Sequence, residues 1–362
     1  MYDYALIIHP TSEELLHKYE PGMKNKPRAL VKKVLEWMLP FKAAEVEGLS
    51  SHLGRTATGV MVMCPLLMEQ MVTLSPTKVM KAVISTLTFA KSLNPKIIGI
   101  TAYAAFSGNK GIDLAKIIDV PMTTGANYTL ATIPESILMA VDLMERDLQK
   151  SSLLILGATS SVGKYCIEIL SNFVSTMYVT AHNEEKLNLF LSELSKEKRN
   201  KLHRVNDINP VIDKVNVIIV ATNRIPVDLD LSKINPGTVI FDASYPRKIP
   251  PDLRNDILVI DGVSILPPGK VDFNFDFGLP KGVCFPCIAE PITLALERRF
   301  ENYSLGKDPD PLKIREIMRL AAKHGFEIAG LTSKERVISD DAIDKIKLEA
   351  QKKKKRRVLL WR

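Results

Sequence analysis

Cysteine is scarce in this chain, with four residues in 362 (Cys64, Cys166, Cys284 and Cys287). They are too few and too scattered for a disulfide framework, which leaves burial or thiol chemistry as their roles. Long apolar runs are missing as well. The longest uncharged stretches, residues 120–134 and 169–183, contain proline or asparagine and fall short of the roughly 20 apolar residues of a membrane span. Met1, Tyr2, Asp3 and Tyr4 supply neither a basic segment nor an apolar one with a small-residue cleavage site, so no export signal is read and the cytoplasm is the expected compartment. Internal repeats are absent. What remains, 46% hydrophobic and 25% charged residues, is ordinary globular composition that excludes disordered and fibrous classes, and the length allows two or three domains.

The formal charge of +8 suggests nucleic acid until it is located. Lys352, Lys353, Lys354, Lys355, Arg356, Arg357 and Arg362 crowd residues 352–362 without an acid, leaving the rest near neutral. No nucleic-acid partner is therefore expected. The tail is read as solvated and mobile, outside any core, and capable at most of peripheral contact with anionic surfaces.

Periodicity predicts an α/β chain. A strand over 4–8 precedes Thr11, Ser12, Glu13 and Glu14, an N-cap with acids in a first helical turn. Helices fit 27–38 and 76–93, a strand 96–101, a turn 123–127 and one long helix about 128–148. Past Ser151 the strands 152–156, 177–180, 215–221, 238–242 and 257–261 alternate with helices, the pattern of a doubly wound parallel sheet. After Pro267 the period turns helical, with helices over 291–303 and 310–324. The expected organisation is an N-terminal α/β domain (1–127), a connecting helix (128–150), a Rossmann-like domain (151–265), a cysteine-bearing helical portion (266–331) and an extension with the basic tail (332–362).

Gly157, Thr159, Ser160, Ser161, Val162 and Gly163 lie between an expected strand and helix, the setting in which a glycine-rich turn becomes a dinucleotide site. Gly157 allows the tight turn and Gly163 close helix–sheet packing, the backbone amides face a pyrophosphate, and Ser160 adds a hydroxyl donor. At the next strand end stand Thr180, His182 and Asn183, with no acid to bind a ribose 2′-hydroxyl, so NADPH is favoured over NADH. Thr222 and Asn223 end a further strand, and Tyr245 and Pro246 follow another, where cofactors bind or turns form.

Cys284 and Cys287 precede a helix. A thiolate there is stabilised by the helix dipole, although Glu290 opposes it. A nucleophile, a redox pair and structural thiols all remain open; zinc would require a second ligand pair. His9 and His324 suit an acid role or a structural one. Met61, Met63, Met68 and Met71 line a tunnel or fill a core.

Several stretches together make the chain resemble the long-chain acyl-[acyl-carrier-protein] reductases: residues 5–12, Thr123 to Asn127, Gly157 to Gly163, Asp242 to Pro246, Cys287 to Glu290, and Lys323 to Phe326 after Asn302 to Gly306. The resemblance covers about residues 4–331. It implies reduction of a long-chain acyl thioester, carried by acyl carrier protein or coenzyme A, to the aldehyde with NADPH. It further implies that Cys287 accepts the acyl group covalently. The alternatives are a dehydrogenase of the shikimate or amino-acid type without a covalent step, and a nucleotide-binding protein without turnover.

Overall fold

The computed structural model describes residues 1–10, 17, 21–223, 230–244 and 247–360. Thr11, Ser12, Glu13, Glu14, Tyr245, Pro246 and Arg362 lie outside them. The chain is α/β, in two compact units that are each discontinuous in sequence: Met1–Ala131 with Ser264–Ala329, and Thr132–Val263 with Gly330–Arg362.

In the first unit, strands β1 (Tyr2–Ile8), β2 (Phe41–Leu49), β3 (Gly59–Met63), β4 (Pro95–Ile100) and β5 (Met122–Thr123) join strand Gly269–Asp272 in one six-stranded sheet. Its order is Gly269–Asp272, β2, β3, β1, β4, β5. β3, β1, β4 and β5 are parallel, and β2 runs against β3. Tyr4 to Ile8 and the whole of β3 are buried, the continuous apolar run that a strand covered on both faces needs. Met61 and Met63 are fully buried in β3 and fill this core.

In the second unit, β6 (Ser152–Leu156), β7 (Thr176–Thr180), β8 (Leu202–Arg204), β9 (Val217–Val220), β10 (Val239–Asp242) and β11 (Leu258–Ile260) form an all-parallel sheet. Its order, β8-β7-β6-β9-β10-β11, is the doubly wound Rossmann arrangement, whose switch point falls between β6 and β9.

The segment after Pro267 belongs to the first unit. Gly269–Asp272 pairs antiparallel with β2, and helix Pro286–Leu296 packs on β4 and β1, where Pro291 Cγ would meet a Cβ added at Gly99 at 2.6 Å. That helix was expected over 291–303. Pro286, not Pro291, occupies its first turn, and the left-handed Arg298 ends it, so the proline that reads as a helix start lies inside.

The basic tail also departs from expectation. Residues 340–360 form a helix that buries Ile343 and Ala350, and Lys353 Nζ lies 2.8 Å from Asp256, whose side chain is inaccessible to solvent. The buried carboxylate supplies the reason, since it needs a cation and the tail provides one. No helix among the described residues is long and apolar enough to cross a membrane.

Candidate functional site

The turn after β6 is shaped by its two glycines. Gly157 has φ +91°, and a Cβ there would lie 2.6 Å from Ala221 O and 2.9 Å from Thr222 Cβ, so only glycine lets the chain pass over the end of β9. A Cβ on Gly163 would lie 2.4 Å from Gly157 O, which fixes how closely helix Ser161–Leu170 meets the turn. The Gly157 and Ala158 amides donate to Thr180 O at 3.1 and 2.8 Å, tying the turn to β7.

Ser160 caps the helix. Its Oγ accepts from Gly163 N at 3.0 Å and its hydroxyl donates to Gly157 O at 2.8 Å. The proton expected to face a phosphate therefore closes the turn instead. Ser161 and Val162 head the helix, where the dipole favours an anion. Gly157, Thr159, Ser160, Ser161, Val162, Gly163, Thr180 and Thr222 thus gather at the carboxyl ends of β6, β7 and β9. This cradle, with no room for a side chain at either glycine, fits a dinucleotide pyrophosphate.

Beyond Thr180, exposed His182 precedes Asn183, which caps helix Glu184–Glu193 by accepting from Lys186 N at 2.8 Å. Sequence reading missed Arg204 here. The β7–β8 register sets it opposite Val179, and its guanidinium reaches Glu184 at 2.5 Å and Asn188 at 3.1 Å. A three-residue strand among polar residues gives almost no periodic signal.

In the first unit, the parallel strands end along one edge, bringing His9, Cys64, Thr101 and Thr123 to it. Cys287 stands in the first turn of helix Pro286–Leu296. It is partly exposed, whereas Cys64, Cys166 and Cys284 are buried and burial pushes their thiols up. Cys284 is fixed by a two-way backbone pairing with Ile265.

Glu290, one turn after Cys287, is fully buried. It accepts from Thr123 Oγ1 and, at 2.8 Å, from Tyr128 N, clamping the Thr123–Tyr128 turn onto the helix. Burial raises its pKa despite these bonds.

His9 and His324 are both buried. His9 Nε2 accepts from Tyr103 N at 3.3 Å, Nδ1 faces Pro10 O at 3.4 Å, and burial lowers its pKa to about 4. His324 is buried against Glu297 at 2.7 Å. Asp242 closes the loop after β10, accepting from the amides of Ser244, Lys248 and Ile249.

These features define a Rossmann-type α/β protein with a glycine-bracketed strand-to-helix turn in one unit and a partly exposed thiol in the other. No family model matches the sequence. The aminotransferase PigE of Serratia sp. (strain ATCC 39006) is 26% identical over 299 residues, 79% of this chain and 34% of that protein. The chain thus spans about a third of the length of this curated relative. Among solved structures, shikimate dehydrogenase from Aquifex aeolicus is 16% identical, with 88% of this chain and 98% of that one covered and a TM-score of 0.37. L-tryptophan dehydrogenase from Nostoc punctiforme is 11% identical, with 98% and 88% covered and a TM-score of 0.38. Scores this low leave function to be argued from the site.

The resemblance to long-chain acyl-[acyl-carrier-protein] reductases is overturned here, because the comparisons return an aminotransferase and shikimate, quinate and amino-acid dehydrogenases instead. Three of the stretches behind it have local structural roles here: Gly157 to Gly163 is the switch-point turn, Asp242 accepts from backbone amides after β10, and Gly325 is a left-handed helix cap.

Proposed function

We propose that the chain is a nicotinamide-dependent oxidoreductase that transfers hydride to or from a small keto, hydroxy or amino acid without a covalent step, in the manner of the shikimate and amino-acid dehydrogenases. The observation that carries this reading is the Gly157–Gly163 cradle at the sheet's switch point. When bound, the cofactor supplies or accepts the hydride. The chain's part is to hold the pyrophosphate on the first-turn amides of Ser161 and Val162 and to seat the ribose end near Thr180, His182 and Asn183. NADPH is the preferred nucleotide, since no acid terminates β7, and the cytoplasm is the compartment.

Titration with NADPH and NADH, followed by nucleotide consumption against a panel of keto acids, tests the reading. Turnover of a keto acid without covalent labelling of the protein supports it, and failure to bind either nucleotide overturns it.

A further inference from the structure

We propose that Arg204 selects the 2′-phosphorylated nucleotide, receiving the 2′-phosphate on a guanidinium that rests on Glu184. This deepens the nicotinamide reading and depends on it.

Three observations converge. The first is register: β8 lies beside β7, Arg204 pairs with Val179, and Val205 N donates to Val179 O at 3.1 Å. Arg204 therefore stands one pairing short of Thr180, the last residue of β7. In a doubly wound nucleotide fold that strand end is where the adenosine ribose is read.

The second is direction. The side chain reaches the helix that follows β7, with Nη2 at 2.5 Å from Glu184 Oε2 and Nη1 donating to Asn188 Oδ1 at 3.1 Å. Glu184 is the helix's first residue, directly after His182 and Asn183. The guanidinium is thus beside the loop that would meet the ribose, although its Cα is on another strand and 24 residues from Thr180 along the chain.

The third is chemistry. Glu184 is the acid nearest to the end of β7, the kind of residue that would accept from a ribose 2′-hydroxyl. Its carboxylate is already bonded to Arg204, which weakens it as that acceptor. Arginine has five N–H donors in a planar fork suited to bidentate phosphate binding, and the two recorded bonds occupy part of that capacity. The Arg204 side chain is 32% exposed, so a dianionic phosphate can reach it and compete with a monoanionic carboxylate.

The test compares dissociation constants of NADPH and NADH, and displacement of NADPH by adenosine 2′,5′-bisphosphate or by 5′-AMP, for the full chain and its variants. Arg204→Ala is expected to weaken NADPH and the bisphosphate by about tenfold or more, and to leave NADH and 5′-AMP within about twofold. Glu184→Gln is expected to tighten NADPH severalfold and leave NADH unchanged. Arg204→Lys, which keeps the charge without the fork, should fall between wild type and Arg204→Ala and carries the test if the alanine variant fails to fold. Equal losses for both nucleotides, or no loss, overturn the role of Arg204. Weaker NADH binding in Glu184→Gln overturns it too, by making Glu184 the ribose acceptor. A wild-type chain that binds neither nucleotide overturns the oxidoreductase reading, and this inference with it.

Discussion

Gly125 and Cys287 meet backbone to backbone: a Cβ added at Gly125 would stand 2.3 Å from Cys287 Cα and 2.4 Å from its carbonyl oxygen. Pro291, four residues on, has no N–H to offer that carbonyl. Gly125 also has φ +73°, which L side chains resist. Gly125→Ala should therefore destabilise the first unit by about 2–4 kcal/mol through strain and overpacking together. Gly22→Ala, with nothing within 4 Å, should be nearly silent. Urea unfolding of both variants checks the contrast.

Burial divides the cysteines. Cys287 is partly exposed, while the other three thiols are buried and shifted upward. A maleimide at neutral pH should add a single label to the native protein, and Cys287→Ala should remove it; denaturant should release all four thiols. Intact mass reads the result, and a first label on Cys284 would contradict the assignment.

His9 gives the protein a specific acid weakness. Its pKa is lowered from 6.5 to about 4 by burial, so below 6.5 the unfolded chain binds the proton more readily than the folded one. Stability contributed by the neutral ring is complete above 6.5 and is lost as pH falls toward 4, by on the order of 3 kcal/mol. His9→Gln, which has nothing to titrate, should flatten that part of the profile. Denaturation midpoints between pH 7 and pH 4 decide it.

Lys353 has a job inside the fold. Burial alone would raise Asp256, but Arg254 and Lys353 outweigh it and hold the carboxyl below its ordinary range. Removing residues 352–362 should lower stability by roughly 1–2 kcal/mol, because Asp256 keeps Arg254 and loses one charged partner. Asp256→Asn in the full chain should cost more than the truncation, because it takes the carboxylate from both Arg254 and Lys353. Calorimetric melting of the three proteins is the measurement.

Elements with strong periodicity were readable from sequence. β9 is an unbroken apolar run, β6 and β10 are apolar apart from Ser152 and Asp242 at their ends, and Gly157 and Gly163 bracket a turn whose glycine demands are steric and local. Residues whose role depends on a distant partner were not readable. Arg204 acquires its position from pairing with β7, Glu290 from Thr123 and Tyr128 more than 160 residues away, and Lys353 from a buried Asp256. Short edge strands such as β8 carry too few residues for a period to emerge. Pro291 misled because proline commonly opens helices, and here a second proline five residues earlier already did.

The interrupted make-up of both units governs the order in which a ribosome can complete them. The sheet of the first unit awaits Gly269–Asp272, and its covering helix awaits Leu296, so residues 1–131 emerge with part of their apolar surface bare. All six strands of the second sheet are synthesised during that wait. The segment synthesised first is thus the one that must remain unfinished longest, and a fragment ending near Ala131 would carry the exposed surface that chaperones bind.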